Sequence, residues 1–99
     1  MNQKAYVVIF TPSYAERQQV QDFLDTVREV TYWYASLPYC VFLTSALTAN
    51  ELAQRFNAHF GTTHGNYIIM EASQNRQGWM TEGAWHLLAN PANPSLPKR

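Results

Sequence analysis

Twice in this chain an apolar run of strand-forming residues leads, within a few positions, into the spacing of a capped helix. The first run is Ala5-Tyr6-Val7-Val8-Ile9-Phe10, an unbroken pattern that suits a central strand covered on at least one face. Thr11-Pro12 closes it, because proline cannot donate to a ladder. Ser13 and Glu16 then stand at the S-x-x-E spacing, in which each side chain satisfies an amide at a helix start. Val20, Phe23, Leu24, Val27 and Val30 follow at three- and four-residue steps, predicting one apolar stripe on a helix of about four turns. The second run, Tyr39 to Thr44, leads to Thr48 and Glu51 at the same capping spacing. Leu52, Phe56, His59 and Phe60 continue as one helix face, and Gly61 supplies a left-handed stop.

Between these two units, Thr31 to Ala35 has strong strand propensity. Ser36-Leu37-Pro38 interrupts it before the second run, which makes a hairpin the simplest connection. After the polar turn Thr62 to Asn66, Tyr67-Ile68-Ile69-Met70 is a further strand candidate. The order strand, helix, strand, strand, helix, strand predicts an α+β fold, a ferredoxin-like βαββαβ sandwich. Right-handed crossovers would set both helices on one face of a four-stranded antiparallel sheet and leave the other face open.

Residues 71–90 fall outside that repeat. Ala72 to Gly78 is a polar loop, and the apolar pair Trp79-Met80 follows it. Thr81 could cap a short helix with Ala84, Trp85 and Leu88 facing inward; a fifth edge strand from Gln77 to Met80 is the alternative. Pro91, Pro94 and Pro97 exclude regular structure beyond, so a single domain over 1–90 and a disordered tail over 91–99 are expected.

Composition bounds the function. The chain has 99 residues with 7 Lys plus Arg against 7 Asp plus Glu, and is 46% hydrophobic and 14% charged. That is one domain with enough apolar content to form a core. Neutrality removes the strongly basic surface that marks many nucleic-acid binders. The single cysteine, Cys40, excludes an intrachain disulfide and a Cys-based zinc site, and its apolar neighbours make it a core residue. The first apolar run is too short for a signal peptide's apolar core or for the ~20 residues of a membrane span, so a cytoplasmic location is expected.

Residues with chemical potential are scattered. His59 and His64 lie on either side of a helix end, His86 is remote, and no cysteine or carboxylate completes a metal set with them. Asp22, Asp25 and Glu29 read as a solvated helix face, with Arg28 placed to pair with Asp25. Thr11, Ser13, Thr44, Ser45 and Thr48 cluster at strand ends and helix starts, where capping explains them. No nucleophile, phosphate-loop or dinucleotide motif is present, so no catalytic, cofactor or metal residue is assigned. The aromatics Tyr6, Phe10, Tyr32, Trp33, Tyr34, Tyr39 and Phe42 all fall on strands, and alternation sends about half of them to the open face. Such a face can stack bases of single-stranded nucleic acid or meet a second copy of the chain. The scarcity of basic residues favours the second copy or another protein. Tyr6, Tyr32, Tyr34, Trp79 and Trp85 are the candidate dimer or partner surface.

The layout resembles the small CRISPR-associated endonucleases of the adaptation complex and their SinR-like relatives. The resemblance rests on Tyr6-Val7-Val8-Ile9-Phe10 before a capped helix, on Cys40-Val41-Phe42-Leu43-Thr44 before Leu47-Thr48-Ala49-Asn50-Glu51-Leu52, and on Gly78-Trp79 before Ala84-Trp85. It implies a homodimer whose two sheets meet, in a bacterial or phage defence or toxin–antitoxin setting. In the nuclease family a metal-binding aspartate ends the first strand. Here that position is Thr11, followed by Pro12, so the resemblance carries over the fold and the dimer rather than metal-dependent nucleic-acid cleavage. The reading is a non-catalytic homodimeric interaction module, with a divergent metal-dependent nuclease and a single-strand binder as alternatives.

Overall fold

The structure is a computed structural model and describes residues 3–92. Four strands, β1 (Lys4–Phe10), β2 (Val30–Leu37), β3 (Cys40–Ser45) and β4 (Tyr67–Glu71), form one antiparallel sheet in the order β2-β3-β1-β4. Three helices, α1 (Arg17–Thr26), α2 (Ala49–Phe60) and α3 (Glu82–Ala89), complete an α+β architecture. The central pair is β1 and β3, running in regular register from Lys4 opposite Ser45 to Ile9 opposite Cys40.

One face of the sheet is covered by α1 and α2. Tyr6, Val8 and Phe10 of β1 and Val41 and Leu43 of β3 pack there against Val20, Phe23 and Leu24 of α1 and Leu52 and Phe56 of α2. Period-two alternation on the strands and the 3.6-residue stripe on the helices meet in one core. Helix α2 starts as its spacing dictates: Thr48 N–H donates to Glu51 Oε1 at 2.8 Å, and Glu51 N–H donates to Thr48 Oγ1 at 3.1 Å. It ends at Gly61, whose φ of 83° lies in the left-handed region open to glycine, with its N–H donating to Asn57 O at 2.9 Å.

Helix α1 differs from expectation. It begins four residues into the predicted segment, at Arg17, with Glu16 as its cap and Gln19 Oε1 accepting the Glu16 N–H at 2.8 Å. Ser13 instead bonds Thr11 Oγ1 at 3.1 Å. The cause is burial: Tyr14 and Ala15 are drawn into the core, and a turn with Tyr14 N–H donating to Thr11 O holds them there. The helix then has 10 residues rather than four turns, because Val27 leaves it in an extended conformation while remaining buried.

The second face carries α3. Thr81 Oγ1 caps this helix, and Ala84 and Leu87 are its buried residues, packing on Ala5, Tyr32 and Phe42. Of the two readings for this region the helix is the one that forms, and residues 77–80 are not a strand. Leu87 is the inward residue and Trp85 is only half-buried, one position away from the expected stripe. The proline-bearing tail, apart from Pro91 and Ala92, lies outside the described residues.

Candidate functional site

A bulge decides what the second face offers. Val30 pairs with Ser45 while Tyr32 pairs with Thr44, so Thr31 is an extra residue on β2. Adjacent same-phase residues therefore go to opposite sides: Val30 joins the core under α1 and α2, and Tyr32 joins the cluster under α3. The buried hydroxyl of Thr44 that this leaves under the bulge is satisfied by Thr31 Oγ1 at 2.8 Å.

Helix α3 covers only part of this face. Gly83 lets it approach the sheet, since a Cβ there would sit 2.7 Å from the Tyr34 ring. The Tyr34 hydroxyl shares a hydrogen bond with Thr81 Oγ1 at 2.7 Å, fixing the start of the helix to β2. Beyond this contact the strand partners Ile68, Ile9, Cys40 and Leu37 form one row across all four strands. Ile68 is 51% exposed, Ile9 44% and Leu37 40%, and Met70 beside them is 46% exposed. These large aliphatic side chains form one contiguous apolar row on the sheet face rather than scattered surface residues. Burial raises the pKa of the Cys40 thiol, which keeps it protonated and apolar within the row.

The five aromatics proposed for a partner surface separate. Tyr6 is 1% exposed on the helix-covered face, where its hydroxyl donates to Leu47 O at 2.6 Å. Burial, helped by the charges of Glu71 and Glu51, raises its pKa. Tyr32 is buried beneath α3 and Tyr34 is tied to Thr81. Trp79 is fully exposed, on the loop leading into α3, and Trp85 lines a cavity under that helix. Only the two tryptophans therefore reach outward or into a cavity. The exposed row of aliphatic residues was not among the candidates, because Ile9 and Ile68 sit in runs where both strand faces are apolar.

Between α3, its preceding loop and the sheet lies a mainly apolar cavity of about 290 Å³, with Val7 and Phe42 as floor and Met80, Trp85 and Leu88 as wall. Arg76 stands at its rim and also borders a neighbouring cavity of about 370 Å³. At the far end of the molecule a cleft of about 520 Å³ between α1 and α2 holds two of the histidines. His59 stacks on Phe23 with ring centres 4.5 Å apart, and His64 lies beside Tyr14. They belong to an aromatic cluster, and among the described residues no three His, Cys, Asp or Glu side chains are grouped to hold a metal ion.

The acidic residues of the first helix region are individually engaged. Asp22 accepts from Gln18, Asp25 accepts the Trp33 indole N–H at 2.7 Å, and Glu29 takes a two-bond fork from Arg55 at 2.9 and 3.1 Å. Asp25, expected to pair with Arg28, is instead held by the Trp33 indole. Thr11 clasps the end of β1 to the start of β4. Its N–H donates to Asn66 O at 2.9 Å, and its Oγ1 accepts the Asn66 N–H at 3.0 Å. Among the described residues no helix is long and apolar enough to cross a membrane. Scans of this chain against protein-family models, curated proteins and solved structures match none of them.

Proposed function

We propose that this chain is a ferredoxin-like homodimeric interaction module that pairs through the part of the sheet face α3 leaves uncovered. The strand order β2-β3-β1-β4, with helical crossovers before β2 and β4, supports the fold. The observation that carries the function is the uncharged row Ile68, Ile9, Cys40, Leu37, spanning all four strands. A two-fold contact brings a patch against itself, so it needs a surface without like charges to repel, and this row has none. The chemistry of the row also favours protein over single-stranded nucleic acid. Base stacking needs aromatic faces in a cationic groove, whereas these side chains are aliphatic.

The test is mass by light scattering at micromolar concentration. The unaltered chain is expected to be a dimer, and Ile9→Lys with Ile68→Lys is expected to weaken it about 100-fold or more, because two unpaired charges per copy would be buried. Circular dichroism should stay unchanged, since both positions are exposed in the single chain. A monomeric unaltered chain, or a dimer indifferent to both lysines, would overturn the reading.

A further inference from the structure

We infer that Trp79 of each copy seats in the apolar cavity under α3 of the other copy, an inference that rests on the homodimer proposed above. Knob and hole stand side by side in one chain. Trp79 is fully exposed, more so than any other large hydrophobic residue among those described. Its chain neighbours Gly78 and Met80 both line the cavity, whereas Trp79 does not. The single chain therefore leaves a large ring in water beside an apolar hollow that its own ring does not fill.

Symmetry makes a second copy the fitting occupant. In a two-fold contact, residue i meeting residue j requires j to meet i, so one rotation performs both insertions. If knob and hole lay on opposite sides of the molecule, the same fit would build an open chain of copies. Side by side, they close as a pair.

The cavity also adjoins the surface through which the copies are proposed to meet. Its floor is Met70, Val7 and Phe42, which are partners across β4, β1 and β3. Two residues along each of these strands come Ile68, Ile9 and Cys40 of the bare row. Insertion of Trp79 thus extends the same contact rather than making a separate one.

Size and area agree with this occupant. An apolar cavity of about 150 Å³ holds a benzene, so a cavity of about 290 Å³ has room for one indole. Stable pairs bury ~800 Å² on each partner, more than a single row of half-exposed aliphatic side chains supplies. An aromatic side chain adds ~150–250 Å², and each copy gains twice, once from its ring and once from the cavity wall that the other ring covers.

The test is fluorine NMR on the full chain labelled with 5-fluorotryptophan. Trp33, Trp79 and Trp85 give three resonances, and Trp79→Phe assigns the one of interest. A soluble paramagnetic agent should broaden the Trp79 resonance in the monomeric Ile9→Lys, Ile68→Lys variant and spare it in the unaltered dimer. The Trp85 resonance should shift between the two, because Trp85 lines the cavity. By light scattering, Trp79→Ala should weaken the dimer about 30-fold or more, as for an anchor residue. Its circular dichroism should be unchanged, since the side chain is exposed in the single chain. An unaltered dimer whose Trp79 is as accessible as in the lysine variant, or whose affinity ignores Trp79→Ala, would overturn the insertion and leave pairing through the row standing. Protection of Trp79 in the monomeric variant would overturn it too, because the ring would then be covered by its own chain. A monomeric unaltered chain would overturn the dimer and the insertion together.

Discussion

The two faces of the sheet are built to different standards. Under α1 and α2, two helices of 10 and 12 residues close over Tyr6, Val8, Phe10, Val41 and Leu43, and Phe56 and Leu24 are fully buried. Rings interlock there: Phe23 meets Phe56 edge-on at 5.1 Å, and Phe56 stacks on Tyr67 at 5.6 Å. Under α3, a single helix of 8 residues buries only Ala84 and Leu87 from its own length and leaves a cavity beside a bare row. The first face holds the fold. The second leaves apolar surface uncovered.

The largest test of that contrast is a pair of truncations. Phe56→Ala should cost about 3–5 kcal/mol, the usual range for removing a large ring from a sealed core, and unfold the entire domain at lower denaturant. Leu87→Ala should cost about 2 kcal/mol, at the low end for a leucine, because a single helix of 8 residues on this face can settle onto the smaller side chain. Urea unfolding measures both. Equal costs would mean that α3 is as integral to the core as α2, and the division between a structural and a functional face would fail.

The better-built face has one flaw, and correcting it should help. Tyr14 is 3% exposed, lies among Phe60, Tyr67 and Phe10, and its hydroxyl has no partner. Burial, with a smaller contribution from Tyr67, pushes its pKa well above the ordinary phenol value, so the group stays neutral and its cost is that of an unmade hydrogen bond. Tyr14→Phe removes only the oxygen and should raise stability by about 1 kcal/mol. A loss of stability of that size would show that the hydroxyl is paired after all. At Gly65 the same neighbourhood has no slack, since its φ is 70° and a Cβ would come within 2.3 Å of the Tyr14 backbone.

The contrast also explains what could be read from the chain. Features of the first face are local: a capping box at Thr48 and Glu51, a glycine stop, and apolar steps along α2 need no knowledge of the partner elements. The second face depends on non-local facts. Whether Tyr6 or Ile9 points to the helices cannot be told from Ala5 to Phe10, because both phases of the alternation are apolar and a one-residue shift exchanges them. Tyr6 went inward and Ile9 outward. The bulge at Thr31 turns Tyr32 toward α3, and nothing in Val30-Thr31-Tyr32 announces it. The start of α1 moved because Tyr14 is worth more in the core than Ser13 is as a cap.

The smallest expected effect concerns the one ion pair of the described residues, and it asks whether charge contributes to closing the first face. Arg55 on α2 reaches Glu29, just before β2, and the fork holds the Glu29 carboxyl below its ordinary pKa through the hydrogen bond from Arg55. A carboxyl whose pKa is lowered on folding stabilises the folded chain above its unfolded pKa, and that contribution is lost as pH falls through the lowered folded value. Both side chains are well exposed to water, so the pair is screened and its effect is small. Glu29→Gln should therefore leave the melting temperature at neutral pH nearly unchanged and flatten the decline of stability on the acid side of the carboxylate range. Melting curves from neutral pH down to about pH 3 in low salt, where screening is weakest, make the comparison. A large drop at neutral pH would mean that the helix-covered face is closed by charge as well as by packing, and that its advantage over the α3 face is not one of burial alone.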